Sequence, residues 1–258
     1  MTYSVHTKVT WEQKVSTSWE DIFYPSLSKK IRKSDSYFDQ LFELQISPIT
    51  DIHEANDFFN LYDKEIASRG NYLFKQNEKK ELINTKIKSG KNYFQAILRK
   101  KDTNEYAGGI IFTTIEERLS FSFRVFDKQI RSTYRAQTSV DFWVEKKMYE
   151  YSISKKFQTI THGNDSYPNK GRIGLVLFKL KVGGKPKISK MPHDILEVTD
   201  TDINEFNAPT LFWDDPDENN YFQKAHLFYN EDAIDGNVLQ ELIKVMSWTE
   251  IELELHKI

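Results

Sequence analysis

Apolar positions along the chain change period several times, and each change marks an element. Residues 38–46 (FDQLFELQI) are rich in strand formers and are followed by Pro48, Thr50 and Asp51, the last two good helix N-cap types, so a strand leading into a helix is expected. From Asp51 onward Ile52, Ala55, Phe58 or Phe59, Tyr62 and Ile66 recur every three or four residues, and Gly70 closes the pattern as a C-terminal cap does. A second helical stretch covers 76–89 and ends before Gly90. Period two then takes over: 93–98 (YFQAIL), 107–114 (AGGIIFTT) and 119–126 (LSFSFRVF) are separated by short polar turns and predict an antiparallel meander. In the last of these Leu119, Phe121, Phe123 and Val125 alternate with Ser120, Ser122 and Arg124, giving one apolar and one mostly polar face.

A polar loop at 128–138 precedes a helix over 139–155, where Val140, Trp143, Val144, Met148 and Tyr151 share one face. Lys146, Lys147, Lys155 and Lys156 are expected on the remaining surface or in the last turn, where cations suit the helix dipole. A short strand at 157–161, the turn-rich HGNDSYPNKG of 162–171 and an apolar segment at 173–182 follow, ending in Gly183 and Gly184. Strand, two helices, three strands, loop, helix, strand, loop, helix is an α/β order of mixed sheet direction, unlike the strict alternation of a doubly wound fold. Farther on, strands at 210–213 and 225–229, a helix at 236–248 and a strand at 251–255 partly repeat that order, as a truncated second copy would. The division expected is an N-terminal extension (1–37), a main domain (38–190) and a small α/β subdomain (191–258).

Charge sharpens this division. The 258 residues carry a formal net charge of −2, but 191–258 hold three lysines against sixteen carboxylates, or −13, which leaves +11 on 1–190. The chain has no cysteine, which excludes disulfides, thiolate metal sites and cysteine nucleophiles. No signal-peptide pattern is visible near the start, and the longest apolar runs are strand-sized, far below the roughly 20 residues of a membrane-spanning helix. A cytoplasmic protein without a membrane span is expected. The six histidines show neither HxH nor HExxH spacing, so no dedicated metal site is expected. No GxxxxGK[ST], GxGxxG or GxSxG occurs. Asp214, Asp215, Asp217 and Glu218 (in WDDPDEN) lack the glycine and terminal glutamate of an EF-hand loop and read as a solvated acidic turn.

The segment FKLKVGG, from Phe178 and Lys179 to Val182, Gly183 and Gly184, is similar to the FKxxFGG-like ending of the last helix in Fem-type transferases. His162-Gly163-Asn164-Asp165 stands where that family places a glycine-containing turn. With the element order of 38–190, the chain resembles the GNAT (GCN5-related N-acetyltransferase) superfamily and, within it, the Fem-like branch of peptidyl and acyl transferases. The resemblance implies an α/β (α+β) fold with a mixed, mostly antiparallel central sheet flanked by helices. It also implies an N-acyltransferase, moving an acyl or aminoacyl group from acyl-CoA (acetyl-CoA) or aminoacyl-tRNA to an amine of a small molecule, sugar-nucleotide or cell-wall precursor. Two departures stand out. Residues 131–136 (RSTYRA) lack both glycines of the superfamily's acyl-CoA turn, and Phe178 replaces the tyrosine acid of many members.

Under this resemblance Lys179 is the first catalytic candidate, a cation able to stabilise an oxyanion near the reacting carbonyl; its plain alternative is a surface lysine on an amphipathic helix. His162 with Asp165 would take the acceptor's proton, and Tyr167 is an alternative donor. In the family, loop N–H groups and the next helix N-terminus hold the anionic donor. That maps here to Val125, Lys128, Arg131, Ser132, Thr133, Tyr134 and Arg135, with Arg131 and Arg135 compensating for the missing glycines by charge-assisted bonds. The plain alternative is a solvated loop. Expected partners are an amine or nucleotide-linked acceptor, tRNA as donor carrier, and a second copy of the chain through its last strand. Competing readings are a GNAT-like ligand-binding or assembly module without catalysis, and a general RNA binder resting only on the basic, aromatic body.

Overall fold

The computed structural model describes residues 2–67, 78–133, 136–166, 169–170, 172–192, 194–204, 206 and 208–258. Its strands are β1 (Thr2–His6), β2 (Lys8–Lys14), β3 (Phe42–Ile49), β4 (Tyr93–Lys100), β5 (Tyr106–Ile115), β6 (Arg118–Phe126), β7 (Thr159–Ser166), β8 (Asn169–Lys170), β9 (Lys185–Ile188), β10 (Ile195–Thr199), β11 (Thr210–Pro216), β12 (Phe222–Tyr229) and β13 (Glu252–Lys257). Its α-helices are α1 (Pro25–Leu41), α2 (Asn56–Ala67), α3 (Glu78–Lys88), α4 (Lys128–Thr133), α5 (Val140–Ser154), α6 (Ile173–Lys181), α7 (Asp200–Asn204) and α8 (Gly236–Trp248). They belong to two compact units, both discontinuous: Val15–Trp19 with Pro25–Ile160, and Met1–Lys14 with Glu20–Tyr24 and Thr161–Ile258. Composition and spacing suggested contiguous blocks at 1–37, 38–190 and 191–258. The compact units instead follow tertiary packing, which joins the first strands to the last third of the chain.

In the unit containing Pro25–Ile160, the meander β3, β4, β5, β6 forms with antiparallel registers, as its period-two pattern predicts. Ile111 and Phe112 are consecutive on β5 and therefore point to opposite faces. Ile111 joins a core with Phe58 and Phe59 of α2 and Ile83 of α3, whereas the Phe112 ring lies 6.1 Å from Tyr151 of α5. Helices thus cover both faces of this sheet. The helix after β3 starts where its N-cap signal lies: Asp51 accepts from the His53 N–H at 2.8 Å, and a 3-10 turn, Ile52–Ala55, leads into α2.

Three expectations need correction here. Residues 38–41 are helical, not strand. Pro25 opens α1, where its missing N–H is no loss, and Leu27, Ile31, Ser34 and Phe38 bury one helical stripe that Phe38 completes against Trp143 of α5, with rings 6.1 Å apart. The loop expected at 128–138 begins as α4, because Asp127 Oδ1 caps the N–H groups of Gln129 and Ile130 at 2.7 and 3.2 Å. Lys146 is buried rather than on the surface, because Asp35 of α1 and Glu150 pair with it.

In the other unit β8, β11, β12 and β13 lie in the order β13-β12-β11-β8. β11 and β12 are antiparallel, while β12 and β13 are parallel and are connected through α8, the crossover that parallel pairing requires. The elements after residue 209 thus appear where the sequence predicts them, α8 over the same residues. β7, β2 and β9 are neighbours in that order, and β1 pairs with β10. The core of this unit centres on Trp11 and Trp213, edge to face at 5.4 Å, with Val176 and Leu180 of α6 and Leu242 and Met246 of α8. The fold is mixed α/β with mostly antiparallel strands. Among the described residues no helix is long and apolar enough to cross a membrane.

If α1 is integral to its unit, Ile31→Ala, at a fully buried position, costs about 2–5 kcal/mol. Urea unfolding measures it. A loss below about 0.5 kcal/mol, typical of surface positions, would make α1 peripheral.

Candidate active site

The FKLKVGG segment forms the end of α6. Gly184 N–H donates to Lys179 O and Gly183 N–H to Leu180 O, both at 2.9 Å, and Gly183 has φ +82°. This is the Schellman arrangement, with Gly183 as the left-handed C′ residue. A Cβ on Gly183 would lie 2.4 Å from Ile22 Cγ2 and 2.6 Å from Ile22 O, and one on Gly184 would lie 2.9 Å from Lys179 O. Both glycines are therefore required locally: the first by its conformation and the Ile22 backbone, the second by close approach to the helix end.

Lys179, on the turn so terminated, is buried with Asp165 and His162 of β7 and Trp11 and Gln13 of β2. Its ammonium lies 2.8 Å from Asp165 Oδ2, which also accepts from Trp11 Nε1 at 2.7 Å, and it sits 5.3 Å from the centre of the Trp11 ring. Trp11 and Gln13 share a face of β2 because they are two residues apart. Asp165 meets Trp11 while His162 meets Gln13, and Gly163 between them on β7 has φ +76°, a left-handed conformation that glycine adopts without strain. His162 and Asp165 were expected in a turn beyond a strand end; they lie within β7, facing β2. Gln13 Nε2 donates to Val182 O, which turns its Oε1 to His162 Nε2 at 2.8 Å. That ring nitrogen must then carry the proton, so it is a donor here rather than a base.

Of the sequence candidates, the structure pairs Lys179 with Asp165 and places His162 on the same strand, bonded to Gln13. Their side chains are less than one-tenth exposed, and Lys179 is a buried ion-pair member, not the surface lysine of the plain alternative. Tyr167 lies outside the described residues.

An accessible cleft of about 720 Å³ is lined by Gly183 together with Glu12, Lys14, Lys185, Lys187, Asp217 and Tyr221. On β2, Glu12 and Lys14 alternate with Trp11 and Gln13, so one strand serves the buried cluster with one face and this cleft with the other. Tyr221 Oη donates to Glu12 Oε1, and Lys187 Nζ lies 3.4 Å from the same oxygen and 4.4 Å from the centre of the Tyr221 ring. Burial, reinforced by the hydrogen bond and charge of Glu12 and the charge of Asp217, pushes the Tyr221 phenol well above its ordinary range, so it stays protonated. Asp217 Oδ1 accepts from the N–H groups of Asn219 and Tyr221, so the acidic turn is a hydrogen-bonded hairpin loop. Glu12 and Tyr221 were missed because nothing local in the sequence links residues 209 apart.

In the other unit, Lys128, Arg131, Ser132, Gln137, Thr138 and Ser139 line a cavity of about 470 Å³ before the N-terminus of α5. Five of the seven expected anchors are among the described residues, and Lys128 is on the cavity wall. Arg131 is held in a fork by Asp141, Nε at 3.0 Å and a terminal nitrogen at 2.6 Å, so its charge is already matched. Val125 is buried in the core with Ile111, where its side chain meets no solvent ligand. Thr133 ends α4 and is exposed, and Ser132 Oγ donates to Gln129 O. Tyr134 and Arg135 lie outside the described residues.

Comparison with known proteins adds the following. No family model and no curated protein matches the sequence. The chain is similar to the solved structure of FemX, at 12% identity over 70% of this chain and 60% of that one, with a TM-score of 0.52. A tandem GNAT protein from the clavulanic acid biosynthesis pathway matches at 9% identity, 70% and 50% coverage and TM-score 0.38. A GCN5-related N-acetyltransferase from Kribbella flavida matches at 8%, 76% and 37%, and 0.33. The likeness to FemX is one of fold alone, with the chain spanning about 60% of FemX.

Gly183→Ala is expected to destabilise by at least about 1–2 kcal/mol, the cost of the left-handed conformation alone, read as a lowered thermal midpoint. Asp165→Ala leaves the Lys179 charge and the Trp11 N–H buried without their acceptor and should cost about 3–5 kcal/mol. The double variant Lys179→Met/Asp165→Leu should be less destabilised than Asp165→Ala; both readings come from chemical denaturation.

Proposed function

We propose that the chain is an acyltransferase that moves an acyl or aminoacyl group onto an amine, with the Glu12 cleft as its acceptor site. The observation that carries this reading is the convergence of Tyr221 and Lys187 on one carboxylate oxygen of Glu12, in a cleft also lined by Gly183 of the FKLKVGG segment. The GNAT-like fold shared with FemX supports the same class of reaction. An attacking amine must be neutral, and Glu12 is placed to accept its proton. The Lys187 ammonium keeps donors beyond its contact with Glu12 for an oxygen that gains negative charge as the acyl carbonyl becomes tetrahedral, while the Tyr221 hydroxyl holds Glu12 in place. Lys179, with its buried partners, acts as a positioning residue: it anchors the helix end from which Gly183 enters the cleft.

Mixed lining narrows the acceptor. Glu12 and Asp217 suit an ammonium group, and Lys14, Lys185 and Lys187 suit a carboxylate or phosphate on the same molecule. A zwitterionic acceptor such as an amino acid, a peptide or a nucleotide-linked amine fits this pattern. For the donor, acyl-CoA, with acetyl-CoA the simplest, is the first reading and aminoacyl-tRNA the second. The cavity lined by Lys128 and Ser139 is assigned to its phosphates, with Lys128 rather than the Asp141-bound Arg131 as the cation.

Native mass spectrometry with acetyl-CoA, longer acyl-CoAs and aminoacyl-tRNA identifies the donor, and Lys128→Ala should weaken its binding. With a labelled donor and peptides bearing free or blocked amino termini, Glu12→Gln should lower kcat/KM by about 10²–10⁴, the usual contribution of a positioned base. Stoichiometric donor binding without turnover would favour the ligand-binding module instead, a reading to which the Arg131–Asp141 fork and the missing glycines lend weight. Full turnover in Glu12→Gln would sink the role given to that residue.

A further inference from the structure

β12 and β13 lie side by side and parallel, with His226 opposite Glu254 and Phe228 opposite His256. Residues two apart share a face, so His226, Glu254 and His256 project together. His226 Nδ1 lies 3.1 Å from His256 Nε2 and 3.1 Å from Glu254 Oε2, and His256 Nε2 lies 3.6 Å from the same carboxylate oxygen. Three atoms bound to one zinc ion at about 2.0–2.1 Å in tetrahedral geometry would be about 3.3–3.4 Å apart. The triangle seen here has that size and those ligand types. We propose that His226, Glu254 and His256 form a binding site for a single divalent zinc-class metal ion, with a fourth position left for water or another ligand.

The surrounding groups are those such a site needs. The second ring nitrogen of His226 lies 3.3 Å from Asp214 Oδ2 on β11, the carboxylate–histidine arrangement that fixes the ring's orientation and tautomer in metal sites. The second carboxylate oxygen of Glu254 pairs with Lys224, which leaves Oε2 as a single-oxygen ligand. The Phe228 ring stacks on His256 at 4.4 Å and 13°, and Tyr3 meets the His226 ring edge-on at 5.1 Å, so both imidazoles are held by packing. Around the triangle Asp214, Glu252 and Glu254 oppose one cation, Lys224, and this excess of negative charge favours a dication.

A hydrogen-bonded histidine pair is the competing account. A proton on His226 Nδ1 can serve Glu254 or His256, but the 3.6 Å edge from His256 to Glu254 is beyond hydrogen-bond length. One cation engages all three lone pairs at once. Segment-level spacing rules passed over the site because its histidines are 30 residues apart and only strand pairing joins them. The Glu254-x-His256 pair on a final strand was the local signal available.

The test uses the full-length, untagged protein after dialysis against a chelator. Isothermal titration with Zn²⁺ should give one equivalent, and Co²⁺ should produce the intense visible bands of a tetrahedral centre. His256→Gln, a partly exposed position whose circular dichroism should be unchanged, is expected to lower Zn²⁺ affinity more than about a hundredfold. Asp214→Asn should lower it about 10–100-fold, as loss of an outer-shell carboxylate does. Absence of stoichiometric binding, a pale octahedral Co²⁺ spectrum, or undiminished affinity in His256→Gln would each overturn the assignment in favour of a metal-free histidine pair. None of these readings depends on acyl transfer, so the metal site and the proposed activity stand or fall separately.

Discussion

One buried ion pair organises the unit that holds the candidate active site. Charges removed from water are tolerated only when their partners are close and their remaining bonds are made. Lys179 and Asp165 meet that condition at 2.8 Å, with the Trp11 indole N–H on the same carboxylate oxygen. Three elements are thereby fixed together: α6, strand β7 and strand β2. On β7 Asp165 faces Trp11 and His162 meets Gln13 on either side of the left-handed Gly163, and the two glycines after Val182 end α6 at the turn that carries Lys179. A short motif that resembles one of catalysis is, in its own physical terms, a device for placing a buried cation.

From that anchoring follows the geometry of the cleft. Strand β2 has Trp11 and Gln13 on one face and Glu12 and Lys14 on the other, so whatever fixes the buried face also fixes the accessible one. Glu12 thus stands on a strand immobilised by the ion pair, and Tyr221 and Lys187 are brought to it by the hairpin of β11 and β12 and by β9. The proposed base and its support alternate along one strand, the kind of preorganisation that electrostatic catalysis requires. The opposite case is Arg131. A loop rich in Arg and Ser looks like an anion anchor in sequence, yet Asp141, in the first turn of α5, occupies the guanidinium in a two-point fork. A basic residue counts as an anchor only if no carboxylate of the fold has claimed it.

Local physics was legible. The meander, the capped start after Asp51, the helix over Val140–Ser154 and the elements from Thr210 to Lys257 all follow from period, capping and turn residues acting within a few positions. Helix α1 was not, because Ser34 occupies one of the four stripe positions and the apolar signal of Phe38 fits a strand equally well. Lys146 was placed on the surface because the carboxylate that buries it, Asp35, comes from another helix.

The sequence by itself determined the class of fold and the order of most elements, since these rest on spacing, and it singled out Lys179, His162 and Asp165 as candidates. Tertiary structure decided which of those residues are buried, that β1 and β2 join the last third of the chain, that Glu12 meets Tyr221, and that His226 meets Glu254 and His256. The physical reason is the same in every instance. Hydrogen-bonded strands and buried charges join residues on separate elements, some more than a hundred positions apart, and the free energy of such contacts depends on distance in space, which period and composition do not contain.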